Sequence, residues 1–151
     1  MEFVMSPIGE IHTPFIDNHG VPTQASHSDI LGAVEVYPAY VEGLLDLNGF
    51  SHVILIYAFH RSDHYELQVV PFLDDQPHGL FATRYPARPN PIGLSVVELL
   101  TVHNNVLEIR GVDMLNGTPL LDIKPYVPEF DMRDNVRVGW HGARHGGSAH
   151  L

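Results

Sequence analysis

Two arginines four residues apart, Arg84 and Arg88, stand among three prolines in the run Phe81-Ala82-Thr83-Arg84-Tyr85-Pro86-Ala87-Arg88-Pro89-Asn90-Pro91-Ile92-Gly93-Leu94-Ser95. Proline fixes φ, lacks an N–H and pushes the residue before it towards extended geometry. Residues 84–91 therefore form neither a helix nor a central strand. They read as a stiff loop that presents two guanidinium groups, whose planar donor sets suit carboxylate or phosphate. A ligand site is the chemical reading of such a loop; a rigid structural corner is its alternative.

Other reactive residue types give weaker patterns. Eleven histidines invite a metal reading, with His60 and His64 four apart and His141, His145 and His150 near the end. A pair at that spacing makes a zinc site when both lie on a helix beside a third ligand, whereas His60 and His64 straddle the end of a predicted strand. No functional metal site is expected. Ser51 and Ser95 lack the surroundings of a nucleophile elbow, and no Gly-x-Gly-x-x-Gly joins a strand to a helix. With no cysteine, a thiol nucleophile and a thiolate metal site are both excluded.

The arginine loop also carries a resemblance. Ala82-Thr83-Arg84 with Arg88-Pro89-Asn90-Pro91-Ile92-Gly93-Leu94-Ser95 resembles the signature of the TrmO (TsaA-like) family. Gly9-Glu10-Ile11, Phe50-Ser51-His52 with Tyr57-Ala58-Phe59-His60, and Asn116-Gly117-Thr118-Pro119-Leu120-Leu121-Asp122-Ile123-Lys124-Pro125-Tyr126 agree in the same order. The resemblance implies a single-domain β-barrel that dimerises. It implies S-adenosylmethionine as cofactor, and methylation of N6 of threonylcarbamoyladenosine beside the anticodon of tRNA. A non-catalytic S-adenosylmethionine-binding sensor or scaffold is the alternative.

Position by position, the resemblance assigns cofactor contacts to Pro22, Thr23, Gln24, His60, Arg61, Arg84, Leu94, Asn116, Gly117, Thr118 and Pro119. Arg88, Asn90 and Lys124 are assigned to the substrate. Thr23 stands where relatives have arginine, so one cation is missing. Asn116 replaces an aspartate, which keeps the turn and removes a charge. The bland readings are a surface turn for 22–24, a strand-closing histidine for His60, core packing for Leu94 and an ion pair with Asp122 for Lys124. Asp113 and Glu108 are candidate proton acceptors or, more simply, solvated strand residues. Relatives often carry an additional C-terminal domain, without which substrate docking would rest on the dimer surface.

The elements that must hold these residues are mostly short strands. Among 151 residues, 44% are hydrophobic and 17% charged, as in a folded globular domain. The chain is long enough to bury one core. Residues 4–13 read as an edge strand, 14–29 as a long loop, 32–36 as a strand and 39–46 as a short helix. Residues 51–60 read as a central strand buried on both faces, and 66–72 as another strand. Residues 92–102 and 106–114 form a hairpin around His103-Asn104-Asn105, and 119–124 make a last strand. The expected fold is all-β: a β-barrel domain over 1–130 with one short helix, then a polar tail over 131–151.

Eighteen acidic against eight basic residues give a formal net charge of −10, which opposes general attraction to RNA. Seven of the eight basic residues are arginine, favouring directional anion contacts over a diffuse positive field. No apolar run approaches the roughly 18 residues that span a bilayer, and the N-terminus lacks the pattern of a signal peptide. A cytoplasmic location without membrane association is expected.

Overall fold

Val53, Leu55 and Tyr57 are buried, while Ile54, Ile56 and Ala58 between them are only half-buried. That period of two marks the wall of a barrel: one set of side chains fills the interior and the other lies on the outer surface. A computed structural model describes residues 1–17, 19–22, 24, 28–72 and 74–145. The chain divides into two units. One comprises Met1–His60 with Ile92–Tyr126, the other Arg61–Pro91 with Val127–Leu151. Residues 61–91 thus group with the segment after Tyr126 rather than with the barrel strands on either side of them.

The first unit is a closed antiparallel barrel of six strands. They are β1 (Gly9–His12), β2 (Leu31–Val36), β3 (His52–Ala58), β6 (Ile92–His103), β7 (Val106–Arg110) and β8 (Thr118–Pro125), in the order β1-β2-β7-β6-β3-β8. Its interior is filled by Ile11, Val34, Val36, Val53, Leu55, Val97, Leu107, Ile109 and Leu120. Leu107 and Ile109 point inward and Glu108 and Arg110 outward, as their alternation in sequence requires.

Several expectations are corrected. The first strand covers only Gly9–His12 and is not an edge, since β2 and β8 both pair with it. Pro7 precedes it and removes no ladder donor. Strand β3 has one interior face rather than two, because a barrel wall offers only one. The strand expected over 66–72 shrinks to β4 (Gln68–Val69), paired with β5 (His78–Gly79), and Pro71 stops its extension. The helix expected over 39–46 is a 3-10 segment, Pro38–Leu44, with no buried residue. Gly43 weakens it, Asp46 takes a left-handed φ of 69°, and Leu45 is left 81% exposed. An α-helix, α2 (Gly139–His145), lies where a plain polar tail was expected, and the short α1 (Pro128–Asp131) lies at the end of the expected barrel domain.

Gly93 lies at the start of β6 under two aromatic rings. Tyr57 and Phe59 meet edge to face with centroids 5.6 Å apart. A Cβ on Gly93 would stand 2.6 Å from Tyr57 Cζ and 2.8 Å from Phe59 Cζ. The glycine of the Pro-Ile-Gly turn is thus required by close packing. Gly93→Ala should cost about 1–3 kcal/mol through overpacking, read as a lower denaturant midpoint with the m-value unchanged.

Candidate functional site

Because neighbouring strands run in opposite directions, one rim of the barrel collects the ends of β1, β3 and β7 and the starts of β2, β6 and β8. The connections 13–30 and 111–117 lie at this rim, and the excursion 61–91 starts and finishes there. The opposite end carries the 3-10 connection 37–51 and the tight Asn104-Asn105 turn. His60 and the Asn116–Pro119 turn therefore belong to one end of the barrel, from which the connection carrying Pro22 and Gln24 leaves and to which it returns. Thr23 lies outside the described residues.

Gly117 has a φ of 81°, a conformation that favours glycine, and it turns the chain into β8. The turn is tied to the β1–β2 connection by backbone and side chain together. Asn116 N–H donates to the Phe15 carbonyl at 2.7 Å and Gly117 N–H to that of Ile11 at 2.9 Å. Asn116 Oδ1 accepts the Thr13 N–H at 3.0 Å, and Thr13 Oγ1 donates to the Met114 carbonyl at 2.9 Å. An amide oxygen suffices for this acceptor role, so asparagine here keeps the turn without a carboxylate. Thr118 is buried, and its hydroxyl donates to the Leu115 carbonyl at 2.6 Å.

A polar chain crosses the apolar interior beneath this rim. Ser95 Oγ donates to Asp113 Oδ1 at 2.7 Å, and Tyr57 Oη lies 2.7 Å from Ser95 Oγ. The serine has one proton and it is engaged by the carboxylate, so the tyrosine donates to the serine. Asp113 is therefore half-buried and hydrogen-bonded rather than solvated.

The remaining barrel residues are more scattered. Leu94 points away from the core, pairs with Ile56 on the outer wall and is 49% exposed. The core role weighed for it is thereby excluded. Lys124 faces Ile54 towards the far end of β8 and meets Asp122 at 2.9 Å. The hydrogen bond to that carboxylate, reinforced by its charge, raises the pKa of the ammonium. A shallow depression of about 430 Å³ on the outer wall, lined by His12, Leu31, Ala33, Leu100 and Glu108, contains none of the residues assigned to cofactor or substrate, and of the two candidate proton acceptors only Glu108. Among the described residues no three His, Asp or Glu side chains gather as a metal site would require.

The second unit holds Arg61, Arg84, Arg88 and Asn90. Its two loop arginines have different work. Arg88 Nη1 donates to the carbonyls of Thr83 at 3.0 Å and Tyr85 at 2.9 Å, bracing the backbone on both sides of Arg84. Thr83 is buried, donates to the Leu80 carbonyl at 2.8 Å and accepts the Tyr85 N–H at 3.2 Å. The Arg84 side chain is exposed. These contacts make Arg88 an orienting residue of the loop.

Trp140, on α2, was not expected to matter. Its indole N–H donates to the Ala82 carbonyl at 2.8 Å, and its ring stacks on His78 with centroids 4.2 Å apart. His78 Nε2 in turn lies 2.8 Å from the fully buried carboxylate of Asp74. A lone tryptophan in a Gly- and His-rich tail was the available signal. Trp140→Phe keeps an aromatic ring and removes the donor. It should cost about 0.5–1.5 kcal/mol locally, seen as faster amide exchange at 83–88 with the barrel amides unchanged.

This architecture defines a class: a small antiparallel barrel with a braced arginine loop, unlike the doubly wound sheet that binds nucleotides at a glycine-rich turn. A family profile described as the tRNA-methyltransferase O N-terminal domain matches residues 10–132. The chain belongs to the TrmO family. It is 61% identical over 135 residues to a probable S-adenosyl-L-methionine-binding protein of Pyrococcus abyssi, covering 89% of this chain and 73% of that protein. The human tRNA (adenine(37)-N6)-methyltransferase is 35% identical over 138 residues, which cover 86% of this chain and 31% of the human one. The crystal structure of TrmO from Pseudomonas aeruginosa superposes with a TM-score of 0.78 at 38% identity, covering 93% of this chain and 63% of that one. The chain thus spans less than two thirds of the latter two proteins.

Proposed function

We propose that this chain binds S-adenosylmethionine and methylates N6 of threonylcarbamoyladenosine next to the anticodon of tRNA. The observation that carries the reading is the braced loop around Arg84. Arg88 donates from one nitrogen to the carbonyls flanking Arg84, so the exposed Arg84 side chain starts from backbone held on both sides. A guanidinium suits the cofactor's carboxylate, and held backbone leaves less of the loop to order on binding. His60, Leu94 and the Asn116–Pro119 turn are the barrel residues assigned to the cofactor. The turn offers a conformation set by hydrogen bonds, and Leu94 an exposed apolar surface. Arg61, Pro22, Thr23 and Gln24 complete the assignment by family position, with Asn90, Arg88 and Lys124 on the substrate side.

When bound, the cofactor supplies an electrophilic methyl group, and its transfer to nitrogen releases one proton. The protein's task is then collinear positioning and exclusion of water rather than strong-base chemistry. The bonded donors of the rim and the braced loop suit that task. A homodimer is part of the proposal, supported by the apolar outer strip of Ile54, Ile56, Ile92, Leu94 and Val96 on β3 and β6. A cytoplasmic location follows from a tRNA substrate, and no helix among the described residues is long and apolar enough to cross a membrane. A second reading, cofactor binding without catalysis, is favoured by archaeal relatives named only as S-adenosyl-L-methionine-binding proteins.

Incubating the protein with labelled cofactor and threonylcarbamoylated tRNA, then digesting to nucleosides, should place label in the N6-methylated form of that adenosine. A folded protein that binds the cofactor and leaves no label would reduce the function to binding. Arg84→Ala should weaken cofactor affinity by about 1.5–3 kcal/mol, the scale of a lost charge-assisted hydrogen bond, and calorimetry would measure it.

A further inference from the structure

The acidity of the chain is not evenly spread. Of eight basic residues, six lie in the second unit, where they face seven acidic ones; the barrel unit holds two basic and eleven acidic residues. Both basic residues of the barrel unit are already paired, Arg110 with Glu98 and Lys124 with Asp122. The near-neutral, arginine-rich second unit is therefore the part of the molecule on which a polyanion meets least repulsion.

That unit also exposes aromatic rings. Phe81 is 76% exposed and Tyr85 41%, on either side of Arg84. The Arg88 guanidinium carbon lies 5.9 Å from the centre of the Phe81 ring. Since the same guanidinium is held by the Thr83 and Tyr85 carbonyls, its place beside the ring is set by the loop. Leu80, immediately before Phe81, is buried and anchors the chain, and Trp140 holds the carbonyl of Ala82 immediately after it. An apolar ring kept in water on backbone fastened from both sides is poorly explained by packing. Unpaired bases are read by stacking on such rings and on arginine planes, at a contact that favours no one base strongly.

We propose that Phe81 is a stacking platform for an unpaired base of the RNA substrate, with Arg88 fixing the loop beside it and Arg84 and Tyr85 flanking it. The inference rests on the tRNA reading and adds a residue and a surface to it. A protein partner would also value an exposed phenylalanine. The concentration of arginine in this unit, in a chain otherwise strongly acidic, favours RNA.

The test uses the full chain and a synthetic anticodon stem–loop RNA carrying threonylcarbamoyladenosine. Phe81→Ala should weaken binding of this hairpin by about five- to 150-fold, the range for losing one stacked base. Cofactor affinity and melting temperature should not move. Phe81→Trp should restore affinity, and its emission should be quenched on adding the hairpin, above the background of Trp140. Leu45→Ala, at an exposed apolar position of the barrel unit, should change nothing. A fully paired RNA of equal length should bind wild type and Phe81→Ala alike. Equal hairpin affinity for wild type and Phe81→Ala would overturn the platform and leave the ring to a protein partner. If the wild-type protein methylates tRNA while Phe81→Ala does so with unchanged KM, only the platform falls. If the wild type neither binds the hairpin nor methylates tRNA, the tRNA reading falls and takes the platform with it.

Discussion

In a closed ring of six antiparallel strands, the chain must return to the same end after every second strand. That constraint gives one rim of this barrel its character. Both ends of the connections 13–30 and 111–117 and of the excursion 61–91 meet there, while the connection 37–51 and a two-residue turn serve the other end. Closure also leaves no unpaired strand edge to protect. The rim can then carry loops chosen for what they bind, because the wall beneath them is complete without them.

Fixing those loops falls to a few polar contacts that each replace a missing stretch of regular structure. Thr13 and Asn116 join two connections that have no ladder between them. Ser95 carries the phenol of Tyr57 to the carboxylate of Asp113 beside a core built mainly from Ile, Leu and Val. Such a chain is tolerable in a low-dielectric interior because each hydroxyl proton has an acceptor. In the second unit, Arg88 plays the corresponding part with one nitrogen and two carbonyls.

The barrel was legible where side-chain period and turn chemistry agreed. Leu107 and Ile109 alternating with Glu108 and Arg110 placed the start of one strand, whose expected run to 114 stops at Arg110 where the alternation ends, and Asn104-Asn105 and Asn116-Gly117 marked two turns. The pattern misled where apolar content outran its context. Residues 51–60 read as fully buried because Ile54 and Ile56 look like core, yet a barrel wall always has an outer side. Leu44, Leu45 and Leu47 suggested an amphipathic helix that Gly43 and Asp46 do not allow. At the candidate site the arginine loop was visible from its prolines, but the division of labour within it was not. Nothing in the spacing of Arg84 and Arg88 tells which one turns inward to the backbone. Trp140 was missed for a related reason: its partners, His78 and Ala82, lie about sixty residues away and no local period links them.

The bond from the Trp140 indole to the Ala82 carbonyl has a consequence for how the molecule is made. Every strand of the barrel has been translated by Pro125, whereas the indole that steadies the bend at 82–88 comes fifteen residues later. The barrel can therefore assemble without the indole, while the bend at 82–88 waits for residues well past the last barrel strand to supply its fastening. Cutting the chain after Pro125 would spare every barrel strand and take away the indole that holds the Ala82 carbonyl.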